Sequence, residues 1–268
     1  MTRLLRRHVP AAFDRGAAAY DRLVGANPGY HAHLRRAARA FRSLEHDESC
    51  RHGESCQSGE VCRRGEVCRR GERIRLLDAG CGTGASTAAL LTAVPRARIV
   101  GVDASSGMLA QARTKSWPAT VEFVHGRVET LAEAGVAGPF DGIFAAYLIR
   151  NLPDRDTSLT FLCSLLRPGG VLVVHDYSVR DSLAARLVWH TVCWTVIIPA
   201  GRLATGDAGL YRYLWRSALV FDGPSAFSDR LRRAGFVDIR ADTVTGWQRG
   251  IVHTFCARRP GERPDGRQ

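Results

Sequence analysis

Three glycines at alternate positions, Gly80, Gly82 and Gly84, sit in the segment LLDAGCGTGAS at residues 76–86. A short apolar run precedes them and an alanine-rich, helix-favouring run follows. At a strand-to-helix turn, glycines let the backbone bend tightly and let a ligand approach the main chain. The amino end of the following helix adds unpaired N–H donors. A phosphate loop would need Gly-Lys-Ser/Thr, and no lysine follows; a dinucleotide loop spaces its glycines G-x-G-x-x-G, and here the third comes one residue early. Asp78 stands just before the loop and Cys81 within it. Asp103 closes the next apolar run, where a carboxylate accepts hydrogen bonds from ribose hydroxyls. Ala104 and Met108 follow it.

Further reactive side chains gather at the ends of later apolar runs. Tyr147, Arg150 and Asn151 follow residues 140–146, and His175, Asp176 and Tyr177 close the run that begins at 171. These are the candidates for acid–base work or for stabilising an anion. No Ser-His-Asp or His-Glu-x-x-His arrangement suggests a hydrolase, and no residue pattern suggests a metal site.

The elements that must position them alternate. Strands are expected at 73–79, 98–103, 121–125, 140–146 and 171–176, with helices at 85–93, 105–115, 128–134 and 154–166 between them. Short, nearly continuous β-branched runs suit strands covered on both faces. A helix at 226–234 and strands at 236–241 and 251–257 complete the count. The expected fold is α/β, a doubly wound and mostly parallel seven-stranded sheet. Residues 1–44 read as an amino-terminal helical segment broken at Asn27-Pro28-Gly29, and residues 183–219 as a helical lid inserted in a domain spanning 73–258. Residues 259–268 form a polar tail.

The chain has 268 residues and a net charge of +12, of which residues 1–44 carry nine Arg and two Asp. Basic charge of this size points to nucleic acid, a membrane surface or acidic ligands. Nucleic acid is disfavoured, because no helix-turn-helix, zinc-finger or RNA-binding pattern accompanies it. Peripheral contact with an anionic membrane fits the basic amino terminus better. The longest apolar stretch, 183–203, is interrupted by Arg186, His190, Pro199 and Arg202, which argues against a spanning helix, and no secretory leader is apparent. A cytoplasmic protein, peripheral at the inner membrane surface, is expected. Residues 47–70 repeat a G-E-x-C unit that spaces Cys50, Cys56, Cys62 and Cys68 six apart. That spacing is wrong for a zinc knuckle, so residues 45–72 read as a flexible insertion. Cys81, Cys163, Cys193 and Cys256 lie among apolar residues and read as buried thiols.

The pattern Asp78-x-Gly80-x-Gly82-x-Gly84 resembles the first motif of class I S-adenosylmethionine-dependent methyltransferases. The resemblance implies that the loop holds the methionine portion of that cofactor, with Asp78 suited to its cationic end. Asp103 would meet the ribose and Met108 the adenine, with Ala104 also among the cofactor-binding residues. The third motif departs: an Asp or Asn is expected where Arg127 stands, which leaves the backbone of Val128 to meet the adenine edge. Three stretches narrow the resemblance to the ubiquinone/menaquinone biosynthesis C-methyltransferase family: Leu148-Ile149-Arg150-Asn151, Tyr211-Arg212-Tyr213-Leu214 with Ser217, and Phe13-Asp14 with Ala17, Tyr20 and Asp21. Departures are the Cys repeat and Leu148 in place of glycine. What this implies is methyl transfer to a ring carbon of a small lipophilic quinol-type aromatic substrate. Arg150 would then stabilise a phenolate, His175 serve as base, Tyr147 face the acceptor, and Tyr211 and Arg212 close over it. Two alternatives stay open: an O- or N-methyltransferase of another metabolite or lipid phenol, and a non-catalytic cofactor-binding partner protein. Oligomeric state is not legible.

Overall fold

The computed structural model describes residues 9–44, 73–206 and 208–261. The Cys50–Cys68 repeat expected as an insertion lies outside the described residues.

Seven strands form one sheet: β1 (Arg75–Ala79), β2 (Arg98–Asp103), β3 (Val121–His125), β4 (Phe140–Ala146), β5 (Leu166–Tyr177), β6 (Val237–Thr243) and β7 (Val252–Arg258). Their order is β3-β2-β1-β4-β5-β7-β6; all neighbours are parallel except β7, which runs antiparallel between β5 and β6. The expected mixed, doubly wound sheet is therefore present. Alternation along the central strands divides the core in two. Leu77, Ile143, Leu172 and Val174 face one side, and Leu76, Phe144, Val171 and Val173 the other. Both faces are covered, so these strands read as continuous apolar runs.

From β1 the chain winds outward through β2 and β3, then returns to β4 on the other side of β1. Ligands bind at such a switch point, outside the carboxyl ends of the strands. Helix α1 (Val9–Gly25) and helix α2 (Tyr30–Ala38) precede the sheet. Along it lie α3 (Ala85–Ala93), α4 (Ser106–Arg113) and α5 (Arg155–Leu165). The helix expected at 128–134 is instead a single 3-10 turn, Val128–Thr130, followed by further turns. Its entry residue, Arg127, makes no side-chain cap, and so short a segment cannot offset the cost of nucleation.

The insertion is helical, as expected: α6 (Leu183–Val192), a π-helical turn (Cys193–Ile197), α7 (Ile198–Thr205) and α8 (Gly209–Val220), before α9 (Pro224–Arg233). Ala185 and Trp189 of α6 and Cys193 at the start of the π turn form the buried stripe at four-residue spacing, and the π turn advances the next buried position to Ile198. Pro199 follows at the start of α7; a proline without its N–H is a common cause of such an interruption. The continuous run Leu183–Thr205 reaches 23 residues and holds an 18-residue window of mean hydropathy 1.4, so by length and composition alone it could cross a membrane. One face of it is nevertheless packed into the protein's third apolar cluster.

Candidate functional site

The turn after β1 is shaped by its glycines. Gly80, Gly82 and Gly84 all have positive φ (73°, 55° and 88°), a region that side chains with a Cβ rarely adopt. A Cβ on Gly84 would lie 2.6 Å from Trp117, and one on Gly80 2.9 Å from Leu148. Gly80 N–H and Cys81 N–H donate to the Val102 carbonyl, at 2.8 and 3.0 Å, tying the turn to the end of β2. The Cys81 side chain points beneath the loop toward Gly101, and burial holds its thiol well above the usual range.

Asp78 is fully buried under this loop. Its Oδ2 accepts from Ser86 Oγ at 2.8 Å and Thr87 Oγ1 at 2.6 Å, while Oδ1 has no partner. Desolvation raises its pKa to about 7, against the lowering effect of the two hydroxyls. Asp103 is half-buried at the end of β2 and accepts from Gly82 N–H and Ser105 N–H, each at 2.8 Å. Burial raises its pKa too, against those two amide bonds. Met108 is buried at the start of α4, with its methyl 3.4 Å from where a Gly82 Cβ would stand.

Helix α1 is clasped over this turn by two carboxylates seven residues apart, on one helical face. Asp14 Oδ1 accepts from Ser105 Oγ at 2.6 Å and Gly107 N–H at 2.8 Å. Asp21 accepts from Thr83 Oγ1 at 2.5 Å and pairs with Lys115 Nζ at 2.6 Å, while Lys115 also donates to the Thr83 carbonyl. Lys115 is the chain's sole lysine. The sequence showed Asp14 and Asp21 as part of a resemblance but gave them no task. Their i, i+7 spacing beside the aromatic pair Phe13 and Tyr20 was the available signal.

The opposite wall comes from β4, β5 and the lid. Tyr147 follows β4 with φ 55°, a strained conformation for a tyrosine, fixed by a 2.7 Å bond from its N–H to the His175 carbonyl. Its ring stacks on Tyr30 (5.4 Å between centroids, 12° between planes) and lies 5.0 Å from Tyr177, which in turn lies 4.5 Å from Trp189. The Tyr30 hydroxyl hydrogen-bonds to Tyr20. Tyr147 Oη is buried without a partner, and burial keeps the phenol protonated.

Arg150 is 2% exposed, and its charge is already engaged. Nη1 pairs with Asp176 Oδ1 at 2.5 Å and donates to the Tyr147 carbonyl at 2.9 Å, and Nε donates to Ser217 Oγ at 3.2 Å. Asn151 donates to the same carbonyl and accepts from Tyr213 Oη at 3.0 Å. Two stretches far apart in sequence, the one ending β4 and the one on α8, therefore lock together.

His175 departs from expectation. It is fully buried, with Nδ1 against Thr254 Oγ1 at 2.8 Å and the Tyr147 ring beside it, and it does not line the cavity. Burial first, then His33 and His253, depress its pKa to about 3, so it is a poor proton acceptor for a phenol. Arg212 is exposed and off the cavity wall; Tyr211 is on it, packed against Gly201.

Between these walls lies a cavity of about 360 Å³. Gly80, Gly82, Asp103, Ala104, Met108, Arg127 and Val128 line one end, and Tyr147, Arg150, Tyr177, Tyr211 and Leu214 the other. Asp78, Cys81 and Gly84 lie behind the loop rather than on the wall. Arg127 is exposed at the rim, 3.9 Å from Glu129. Phe13, Tyr20, Leu23 and Val24 of α1 roof the cavity. Among the described residues no cluster of His, Cys, Asp or Glu could hold a metal ion.

A glycine turn, a carboxylate at the end of the second strand and a cavity across the switch point define a nucleoside-cofactor site of the class I methyltransferase kind. Residues 60–258 match the model of the ubiE/COQ5 methyltransferase family. A ubiquinone/menaquinone biosynthesis C-methyltransferase, UbiE, of Bradyrhizobium diazoefficiens is 36% identical over 182 residues, 66% of this chain and 70% of that protein. A demethylmenaquinone methyltransferase of Thermus thermophilus is 34% identical over 171 residues, 64% of this chain and 77% of that protein. Among solved structures, the plantazolicin methyltransferase BpumL in complex with S-adenosylhomocysteine superposes with a TM-score of 0.58 at 13% identity, over 96% of this chain and 97% of that one, and so shares the fold. The chain belongs to the ubiE/COQ5 methyltransferase family and is an S-adenosylmethionine-dependent methyltransferase.

The residues present fit that cofactor. The glycine cradle leaves no room for a Cβ at Gly80 or Gly84, Asp103 presents its carboxylate at the cavity, and Asp78 keeps one oxygen unpartnered beneath the loop.

Proposed function

We propose that this enzyme methylates a ring carbon of a lipophilic, quinol-type aromatic acceptor. One observation carries the reading. The cavity that begins at the glycine turn continues into a wall of stacked aromatic rings, Tyr30, Tyr147 and Tyr177, and then into an apolar throat of Val192, Val196, Ile197 and Leu214. A flat aromatic head suits the rings, and a hydrocarbon tail suits the throat. The curated relatives named for quinone biosynthesis support the same acceptor class.

S-adenosylmethionine supplies an activated methyl group when bound. Gly80, Gly82 and the backbone of Val128 would hold it, with Asp103 and Ala104 toward its ribose, Met108 toward its adenine, and Asp78 beneath its methionine end. Arg127 guards the rim. The remaining task of the chain is alignment and charge. Tyr147, strained in backbone and unpartnered at Oη, contacts the acceptor's phenolic oxygen. Arg150 positions Tyr147 through its carbonyl and anchors α8 through Ser217, and its cation lies 5.3 Å from the Tyr177 ring. In this reading residues 73–258 are the catalytic domain and residues 9–44 its roof, a division supported by the α1 side chains that line the cavity. The acceptor is met at an anionic membrane surface on the cytoplasmic side, a reading supported by the +12 charge and the basic amino terminus.

The test is transfer of a labelled methyl group to demethylmenaquinol, to simple catechols and to amine acceptors. Carbon methylation of the quinol is expected. Turnover confined to oxygen or nitrogen of another acceptor would replace this reading, and cofactor binding without turnover on any of them would end it.

A further inference from the structure

The run Leu183–Thr205 has two apolar faces. One is packed against the protein through Ala185, Trp189, Cys193 and Ile198. The other is open: Leu183 is 81% exposed, Leu187 69% and Leu203 89%, and Trp194 lies between them at 45%. Contiguous exposure of this kind on a surface helix marks an interaction site. Val196 links the open face to the chemistry, since it is 57% exposed and also lines the cavity. The apolar surface therefore continues into the mouth of the site.

The flanking charge selects the partner. Arg180, Arg186, Arg202, Arg212 and Arg216 are all exposed in or beside this helical insertion. Asp181 is exposed beside them and offsets one of these five positive charges. A second copy docking by two-fold symmetry would set these arginines against one another. Anionic lipid headgroups would pair with them while the apolar face enters the acyl boundary. A spanning arrangement is incompatible with the packed face, which would have to leave the core.

We infer that the open face of Leu183–Thr205 lies in the plane of an anionic bilayer and sets the cavity mouth at Val196 against the lipid, so that the acceptor enters without crossing water. The inference rests on the lipophilic acceptor proposed above and names the surface that receives it. Trp194, partly exposed on this face, is of the residue type that favours the membrane interface.

The experiment uses the full chain with vesicles of equal parts phosphatidylcholine and phosphatidylglycerol, and with phosphatidylcholine alone. Sedimentation with vesicles measures binding, and quenching of tryptophan fluorescence by brominated acyl chains measures insertion. The wild type should bind the anionic vesicles and be quenched. Leu187→Glu with Leu203→Glu should lower that binding by about ten-fold or more. Arg186→Gln with Arg202→Gln should weaken it and reduce its salt sensitivity. All four positions are exposed and off the cavity wall, so melting temperature and turnover of a short-chain, water-soluble quinol should stay unchanged. Equal vesicle binding by the Glu variant would overturn the inference. So would a wild-type dimer in sedimentation velocity that the Glu pair converts to monomer. Vesicle binding is read without acceptor, so failure of every quinol to turn over would strike the proposed activity alone.

Discussion

Replacing Asp176 by Asn tests whether Arg150 is a structural lock. Asp176 is fully buried; its Oδ1 accepts from Arg150 Nη1 at 2.5 Å and from Tyr177 N–H at 2.9 Å, and its Oδ2 accepts from Arg150 N–H at 3.2 Å. Asparagine keeps one acceptor oxygen, but its NH₂ must then face an N–H donor, and the guanidinium loses its counter-charge at 2% exposure. Breaking a buried pair by removing one partner costs about 3–5 kcal/mol. Because asparagine retains some hydrogen bonding, the lower end, about 3 kcal/mol, is expected. In a domain of this size that is a fall in melting temperature of about 6–12 °C. The assay is urea and thermal denaturation of wild type, Asp176→Asn, and Asp176→Asn with Arg150→Met. Removing both charges should recover most of the loss, since well-packed apolar replacements of buried pairs are close to neutral. A single-variant loss below about 1 kcal/mol, or a double variant no more stable than the single, would refute the reasoning.

Other perturbations reach the remaining parts of the site. Tyr147→Phe should lower kcat by about ten- to a hundred-fold, the worth of one hydrogen bond to a charged oxygen, with cofactor affinity and melting temperature nearly unchanged; an unaltered kcat would remove Tyr147 from the acceptor contact. Gly84→Val combines a φ of 88° with a clash against Trp117, so it should cost about 1–3 kcal/mol of stability and weaken cofactor binding, measured by melting and calorimetry. The Asp78 carboxyl titrates at about 7 in the folded chain and at about 4 when unfolded. Its neutral form favours the ligand-free fold below about pH 4, and that contribution is lost as pH rises through about 7. Ligand-free Asp78→Asn should therefore gain stability relative to wild type as pH rises from about 4 to about 7 and keep that gain above it; a gap that does not change across that range would contradict the assignment. Asp14→Ala with Asp21→Ala should loosen α1 by about 1 kcal/mol and speed tryptic cleavage at Arg15 and Arg22 about five-fold, with cofactor protecting the wild type more than the variant.

The parallel strands were legible because each is a short apolar run, covered on both faces, between helices of clear period. The cofactor end was legible for a related reason: Gly80, Gly82 and Gly84 are demanded by local backbone geometry, and Asp103 by a fixed place at a strand end. The acceptor end was harder. Whether Arg150 meets substrate or Asp176 depends on a contact between strands β4 and β5, and no spacing within one segment reports it. His175 looked available because it ends a strand, yet the side alternation of β5 turns it toward His33 and away from the cavity. The short 3-10 turn at Val128–Thr130 shows the opposite case, a helical composition too brief and uncapped to propagate. The face of Leu183–Thr205 was obscured by the π turn, which shifts the buried stripe by one residue partway along. A pattern read at constant helical period loses register there.

The most direct test is calorimetric titration of the purified chain with S-adenosylmethionine and with S-adenosylhomocysteine, beside Asp103→Ala. The wild type should bind both at one site per chain, and the variant, which loses the carboxylate facing the ribose, should bind about ten-fold more weakly or worse while remaining folded by circular dichroism. A wild-type chain that binds neither compound, or a folded Asp103→Ala that binds them equally well, would contradict the cofactor site on which the acceptor chemistry depends.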